Sequence, residues 1–262
     1  MPHDAAPYHP ADADDQRGER NRLLRHLPSG AYAVLRPLLD PVALTPRQTL
    51  YAPGEPIAHV YFPETATLGI LAELHHGGRI EVGGIGNEGF VGVSVLLGVQ
   101  SLPYRAIVQV PGDTKRMSSD VFRDALDANP GLRRVLLRYP LFLIQQVAQL
   151  VACNRLHTLM QRYARWLLMT HDRVQADTFP LTQGFLAELL AVRRPGVSVT
   201  AEMLQDAGLI SYSRGKLSVL DRPGLERISC ECYQTMRTAY ANLFPDGGQT
   251  SSDNAWQPHT TQ

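Results

Sequence analysis

The sequence predicts an α+β chain: an amino-terminal β-roll, a long helix, and a carboxy-terminal winged helix-turn-helix. Three observations carry this reading. From Val42 to Met117, short β-branched and aromatic runs alternate with Pro53-Gly54, Gly77-Gly78, Gly83-Gly84, Gly86 and Pro111-Gly112. That punctuation suits roughly seven or eight strands closing into a roll or small barrel. Leu132 to Asn154 is apolar at helical spacing. Between Pro180 and Leu220, two short helical patterns precede a hairpin pattern with a cationic tip.

The chain's 262 residues can hold one large or two ordinary domains, each with its own core. Residues 1–20 combine Pro, Ala, Asp and His without a basic or apolar stretch, the composition of a disordered tail rather than a signal peptide. Leu23, Leu24, Leu27, Leu35, Leu38 and Leu39, divided by Pro28-Ser29-Gly30, predict two short helices and a turn. The clearest strands are Val60–Phe62, Thr67–Leu74, Arg79–Val82 and Ala106–Val110, with His75-His76-Gly77-Gly78 turning a hairpin. The two histidines there lack further ligands and are read as solvent-facing. Ser118 or Ser119 caps a helix through Phe122 and Leu126 that stops at Asn129-Pro130-Gly131. A β-roll domain over 21–130 follows from these limits.

The helix over 131–155 carries two apolar stripes, Leu141, Ile144, Ala148 and Val151, and Leu143, Val147 and Leu150. Two faces need two partners: the first suits a twofold seam, the second the side of the β domain. A homodimer through this helix is predicted, with a break or kink at Pro140, between Tyr139 and Leu141. A further helix beginning at Asn154 or Thr158 and running through Tyr163, Trp166 and Met169 opens the reader domain, 156–243. Residues 244–262 read as a second disordered tail.

Thr182 can cap a helix from Gln183 to Leu190. After Ala191-Val192-Arg193-Arg194-Pro195 a second apolar period, Val197, Ala201 and Leu204, stops at Ala207-Gly208. Two short helices on a three- or four-residue turn make the helix-turn-helix pattern. Small Ala187 lets them approach, while Leu186, Leu190, Val192, Val197 and Leu204 fill the wedge. Leu209–Tyr212 and Leu217–Leu220 flank Ser213-Arg214-Gly215-Lys216, a basic hairpin suited to phosphate contact. Pro195 is placed at the first helical position, leaving Arg194 at the cap.

Composition limits partners and chemistry. Lys plus Arg equal Asp plus Glu at 25 each, so any basic surface is local. Cys153, Cys230 and Cys232 are too few for a disulfide framework and read as reduced thiols. Cys230-Glu231-Cys232 is set aside as a metal motif, because helical positions two apart face differently and no Cys or His pair nearby completes a site. No apolar run approaches twenty residues, which predicts a soluble, cytoplasmic protein with no membrane partner.

Gly84-x-Gly86-x-x-Gly89 matches a dinucleotide fingerprint in form, but Phe90-Val91-Gly92-Val93 follows where a helix should open, with no second βαβ unit. No nucleophile–base set is legible either, so no catalytic residue, metal or cofactor is predicted and the protein is not expected to be an enzyme.

Several motifs together resemble the Crp/Fnr family of bacterial transcription regulators. They are Leu50-Tyr51-x-Pro53-Gly54-Glu55-Pro56-Ile57, Val60-Tyr61-Phe62-Pro63-Glu64, Gly86-Asn87-Glu88-Gly89-Phe90-Val91-Gly92, Arg165-Trp166-Leu167-Leu168 and Leu181-Thr182-Gln183-x-Phe185-Leu186-Ala187. The resemblance runs from Asn21 to about Leu243. It implies a cyclic-nucleotide-binding-like roll, a dimer helix and a winged DNA reader. Cyclic-AMP binders of the family carry Gly-Glu after the cassette turn and Arg-Ser about ten residues on. Here Gly92 is followed by Val93, and the later stretch is Pro103-Tyr104-Arg105-Ala106, which argues against cyclic AMP. The family's iron-sulfur sensors need four cysteines, which this chain lacks.

The sequence therefore predicts a homodimeric reader of double-stranded DNA acting on a pseudopalindrome. Its DNA-facing residues are Thr182, Gln183, Arg193, Arg194, Val197, Ser198, Arg214 and Lys216, with Arg194 the family's base-reading arginine by position. Gly89, Gly92, Tyr104 and Arg105 mark the effector pocket of an unknown ligand, and RNA polymerase is a further candidate partner. Pro195-Gly196 in the recognition helix keeps a second reading open, an interaction module that no longer reads DNA.

Overall fold

The computed structural model of the chain describes residues 16–75 and 77–245. His76 of the predicted hairpin tip, the tail to residue 15 and residues 246–262 lie outside the described residues.

Among the described residues, seven strands form the roll as two antiparallel sheets. In the first, β7 (Gly112–Ser118) lies between β1 (Asp40–Leu44) and β3 (His59–Pro63). The second runs β2 (Thr49–Tyr51), β6 (Arg105–Val110), β4 (Thr67–Glu73) and β5 (Arg79–Ile85). Strand β5 extends past the predicted Val82, because Gly83 and Gly84 stay in register opposite Ile70 and Gly69. Between the sheets Val60, Phe62, Leu68, Ile85, Phe90 and Val108 are buried, with Phe62 and Phe90 stacked at 5.3 Å. Offset stacking adds to the burial that holds the layers together.

The glycines of the dinucleotide-like motif have a packing role. A Cβ on Gly84 or Gly86 would strike the Arg173 side chain, and one on Gly89 would strike the Tyr139 ring. They make room for side chains, not for a pyrophosphate.

Helices α1 (Arg22–Arg25) and α2 (Ser29–Leu35) form as predicted. Of residues 16–20, assigned to a disordered tail, Gln16 and Glu19 are instead buried. Glu19 accepts from the Tyr32 hydroxyl at 3.0 Å and pairs with Lys115 at 2.5 Å. A short helix α3 (Val93–Leu96) follows the cassette turn, and Ser118 caps α4 (Ser119–Ala128).

The long apolar stretch divides into α5 (Pro130–Leu136) and α6 (Arg138–Leu156). The break thus falls at Leu137, not at 139–141 as predicted. Pro140 lands in the first turn of α6, where its missing N–H forfeits no helical bond. By length and composition residues 130–156 are apolar enough to cross a membrane, and one third of their most apolar window is buried inside the protein.

On α6 the first predicted stripe stands exposed: Leu141 is 47%, Ile144 65% and Val151 67% accessible. The second is displaced. Only Leu150 of Leu143, Val147 and Leu150 is buried, and the inward face is Tyr139, Phe142, Gln146, Leu150 and Cys153. The cause is a neighbour the periodicity could not name, α11 (Cys232–Leu243), which lies along α6. Its Tyr240 meets Phe142 edge-on at 5.3 Å and Phe244 at 4.9 Å, and both residues join the core of the roll. Phe244 is therefore packed, not part of a tail.

The reader begins with α7 (Leu159–Val174), where Thr158 and Gln161 form a reciprocal capping box. A strand β8 (Thr178–Pro180), unforeseen in the sequence, leads into α8 (Gln183–Leu189) and α9 (Arg194–Asp206). Strands β9 (Ile210–Ser213) and β10 (Lys216–Val219) join β8 in the order β8-β10-β9, before α10 (Arg222–Ile228). Phe179, Leu186, Val197, Ala201, Leu204 and Leu217 fill this second core, which also takes Leu71, Ile107 and Val110 from the roll.

Candidate nucleic-acid interface

Thr182 accepts a hydrogen bond from the Phe185 N–H at 3.2 Å and starts α8 as predicted. The helix ends in a Schellman motif, with Val192 N–H on Ala187 O at 2.9 Å and Ala191 N–H on Glu188 O at 3.2 Å. Ala191 sits in the left-handed region, φ 51°, where glycine is usual. This sharp stop sets the angle at which α9 leaves.

Arg193 is the cap of α9, Arg194 its first residue and Pro195 its second, one position earlier than predicted. Proline tolerates either place, since neither has a helical acceptor for its N–H. Val197 is corrected as a DNA-facing residue. It is fully buried, because with Ala201 and Leu204 it forms the inward stripe wedged against α8. Arg193 and Arg194 are exposed, and Ser198 is half-buried. The Ser198 hydroxyl donates to Gln183 Oε1 at 2.6 Å, tying the two helices together. Val199 and Met203, which the sequence reading missed, stand exposed on the same outer surface of α9. Their four-residue spacing, out of phase with Val197, Ala201 and Leu204, is the signal that locates them.

In the wing, Arg214 (φ 48°) and Gly215 (φ 75°) are the two central residues between paired Ser213 and Lys216. Two positive φ values are the signature of a type I′ hairpin, which projects both cations at the tip. Arg214 and Lys216 are exposed. Tyr212 fixes the wing to α8, donating to Leu181 O at 2.6 Å and accepting from Gln183 N–H at 3.1 Å.

The roll touches this reader directly. Arg47 lies over the Phe185 ring at 4.8 Å and reaches Thr182 Oγ1 at 3.5 Å, and Arg79 pairs with Glu188 at 3.3 Å. Trp166 donates its indole N–H to Glu81 at 3.0 Å.

The pocket residues divide. A cavity of about 340 Å³ opens between the roll and α6, lined by Tyr51, Ile70, Ile85, Gly92, Tyr104 and Leu143 among others. Gly89 is absent from it because that glycine lies under Tyr139. Arg105 is also absent. Its guanidinium donates to Glu73 at 2.7 Å, holding the Glu73 carboxyl below the usual carboxylate range, with Arg79 adding to the effect. Both are corrections to the predicted pocket.

The cysteines are a further correction. Cys230 lies outside any helix and Cys232 opens α11, so the two are not bound to opposite helical faces. Cys153 and His157, contributed by the end of α6, stand beside them.

Residues 161–228 match the family described as the Crp-like helix-turn-helix domain. Comparison with curated protein sequences gives no match. The chain is similar in fold to FixK2 from Bradyrhizobium japonicum, with TM-score 0.62 and 16% identity over 73% of this chain and 98% of that one. It is also similar to TTHB099, a CRP-family transcriptional regulator from Thermus thermophilus, at 0.58 and 22% over 72% and 96%. A putative cAMP-binding regulatory protein from Silicibacter pomeroyi gives 0.58 and 20% over 82% and 98%. A roll joined through a long helix to a winged helix-turn-helix is the fold this chain has in common with these structures. Within that fold, residues 161–228 are a Crp-like helix-turn-helix domain.

Proposed function

We propose that the protein acts as a homodimer, joined along α6, that reads a pseudopalindromic duplex with its two copies of α9. The observation that carries this is the unpartnered row Leu141, Ile144 and Val151 on α6, an apolar edge at the spacing of a twofold helical seam. Exposed apolar side chains in such a row mark an association surface. Two copies so joined would present α9 to successive major grooves, ~34 Å apart. Arg194 would meet a base edge, Val199 and Met203 thymine methyls, and Arg193, Arg214 and Lys216 phosphates. RNA polymerase would be the next partner of the bound dimer.

The effector is read from the cavity beside α6. No charged side chain lines it among the described residues, and Arg105 is engaged by Glu73. This supports an apolar ligand over a cyclic nucleotide, whose phosphate needs a cation.

Selection from random duplex DNA tests the reading. A recovered twofold motif, its halves about one helical turn apart, is expected. Binding no tighter than to random DNA at moderate salt would favour the second reading, an interaction module whose α8 stays docked on Arg47 and Arg79.

A further inference from the structure

Four metal-ligand side chains converge where α6 ends and α11 begins. Cys153 is on the last turn of α6 and His157 just past its end, four residues on; Cys230 and Cys232 flank the start of α11. Cys153 Sγ lies 3.6 Å from Cys230 Sγ, and Cys232 Sγ lies 3.5 Å from His157 Nδ1. All four ligand atoms fall within 4.8 Å of one another, and the three cysteines are buried.

We propose that Cys153, His157, Cys230 and Cys232 bind one tetrahedral divalent cation of the zinc class, clamping the end of the dimer helix to the start of α11.

The separations suit one ion. With metal–sulfur bonds of ~2.3 Å and metal–nitrogen bonds of ~2.0–2.1 Å, a tetrahedron has S–S edges of about 3.8 Å and S–N edges of about 3.6 Å. A single disulfide would need two sulfurs at ~2.0 Å and would leave the third thiol and the imidazole unexplained. A two-iron cluster spreads its ligands across two metals, wider than this set. Three thiolates and an imidazole also select a soft or borderline ion over magnesium or calcium.

The surroundings are those of a ligated imidazole. His157 Nε2 lies 3.2 Å from Glu231 Oε1 and 3.1 Å from Oε2. Donation of Nε2–H to that carboxylate leaves the Nδ1 lone pair facing the sulfurs, the carboxylate–histidine–metal arrangement. Gln149 donates its amide to Cys232 Sγ at 3.0 Å, as suits a thiolate acceptor. Binding displaces the thiol protons to solvent and changes no oxidation state. The cation would join segments 77 residues apart in the chain.

The test uses the full-length protein purified under reductant, analysed for metal, then stripped and titrated with cobalt(II). About one zinc per chain is expected, and cobalt should give intense tetrahedral d–d bands with thiolate-to-metal charge transfer. Glu231→Gln, at an exposed side chain, should keep the fold and weaken cobalt binding about 10- to 100-fold. Cys232→Ser should weaken it at least as much and diminish the charge-transfer band. Folded wild-type protein, by circular dichroism, that takes up neither ion overturns the proposal. So does an octahedral cobalt spectrum without thiolate bands. No DNA enters the assay, so its failure is separate from failure of the DNA reading.

Discussion

Arg173 of α7 donates from Nε and Nη2 to one oxygen of Glu88, at 3.0 and 2.8 Å, and both side chains are almost wholly buried. Nη2 also bonds Gly84 O at 2.7 Å, so one guanidinium fixes the reader's first helix both to the end of β5 and to the turn after it. Burial alone would lower the Arg173 pKa, yet the charge of Glu88 and its hydrogen bonds hold it above the usual arginine value. Arg173→Met should therefore cost ~3–5 kcal/mol by stranding a buried carboxylate, while Arg173→Met with Glu88→Leu should recover much of it. Urea unfolding of the two variants checks this; equal losses would show that the pair's charge is not what matters.

The glycines beside that pair explain why a sequence motif can mislead. Gly84, Gly86 and Gly89 have the spacing of a phosphate loop, but spacing cannot reveal that Arg173 and Tyr139, far along the chain, occupy the space a Cβ would need. Gly89→Ala should destabilise by ~1–3 kcal/mol through overpacking against the ring, and Tyr139→Leu in the same chain should relieve part of the loss. Thermal unfolding that leaves Gly89→Ala unchanged would remove this account.

At the DNA face, Arg194 and Lys216 should separate by kind of effect. Arg194→Ala should cost ~1–3 kcal/mol and relax preference at one base pair of the half-site. Lys216→Ala, at the wing tip, should weaken all sequences alike and reduce the salt slope by about one. Binding measured on the selected motif and on single-base variants, across a salt series, distinguishes them. Unchanged sequence preference in Arg194→Ala would sink its base-reading role.

What was legible in the chain was local. Thr182 as a cap, the inward stripe of α9 and the Arg214-Gly215 turn all follow from rules that span a few residues. Long-range partners were not legible: α11 rotates the buried face of α6, and Cys153 meets Cys230 from 77 residues away. Val197 was misplaced because the start of a recognition helix suggests contact, whereas its phase with Ala201 and Leu204 dictates burial.

Ile144 should govern assembly without governing the fold, since its side chain lies on the exposed edge of α6. Ile144→Glu would place two carboxylates against each other in a twofold seam. Sedimentation should show a shift from dimer to monomer, with the thermal transition of the separated chain retained. A dimer that persists in Ile144→Glu and in Val151→Glu would place the interface elsewhere.

Arg105 and Glu73 offer a pH test of the corrected pocket. The Glu73 carboxyl is held below its usual range, chiefly by the Arg105 hydrogen bond. A lowered carboxylate pKa stabilises the fold above the unfolded value and is lost as pH falls through the folded one. Arg105→Ala should thus be slightly less stable than wild type at neutral pH, the difference fading on acidification. Cyclic AMP, added as a probe, should shift the melting of neither protein. A cyclic-AMP shift present in wild type and absent in Arg105→Ala would restore the arginine to the pocket.

Ala191 closes α8 with φ 51°, a conformation that crowds its Cβ against the backbone. The left-handed region costs a non-glycine residue roughly 1–2 kcal/mol, while glycine's greater unfolded freedom offsets roughly 0.4–1 of that. Ala191→Gly should therefore stabilise the reader, by ~1 kcal/mol or less. Ala187→Gly, four residues earlier on the same helix, should do the opposite, because Ala187 is helical and buried against the core. There glycine gains no relief and forfeits ~1 kcal/mol of helix propensity plus a packed methyl group. One substitution with two signs, read from denaturant midpoints, isolates backbone conformation from composition. If both variants lose stability equally, the Schellman turn is not strained and its alanine needs another explanation.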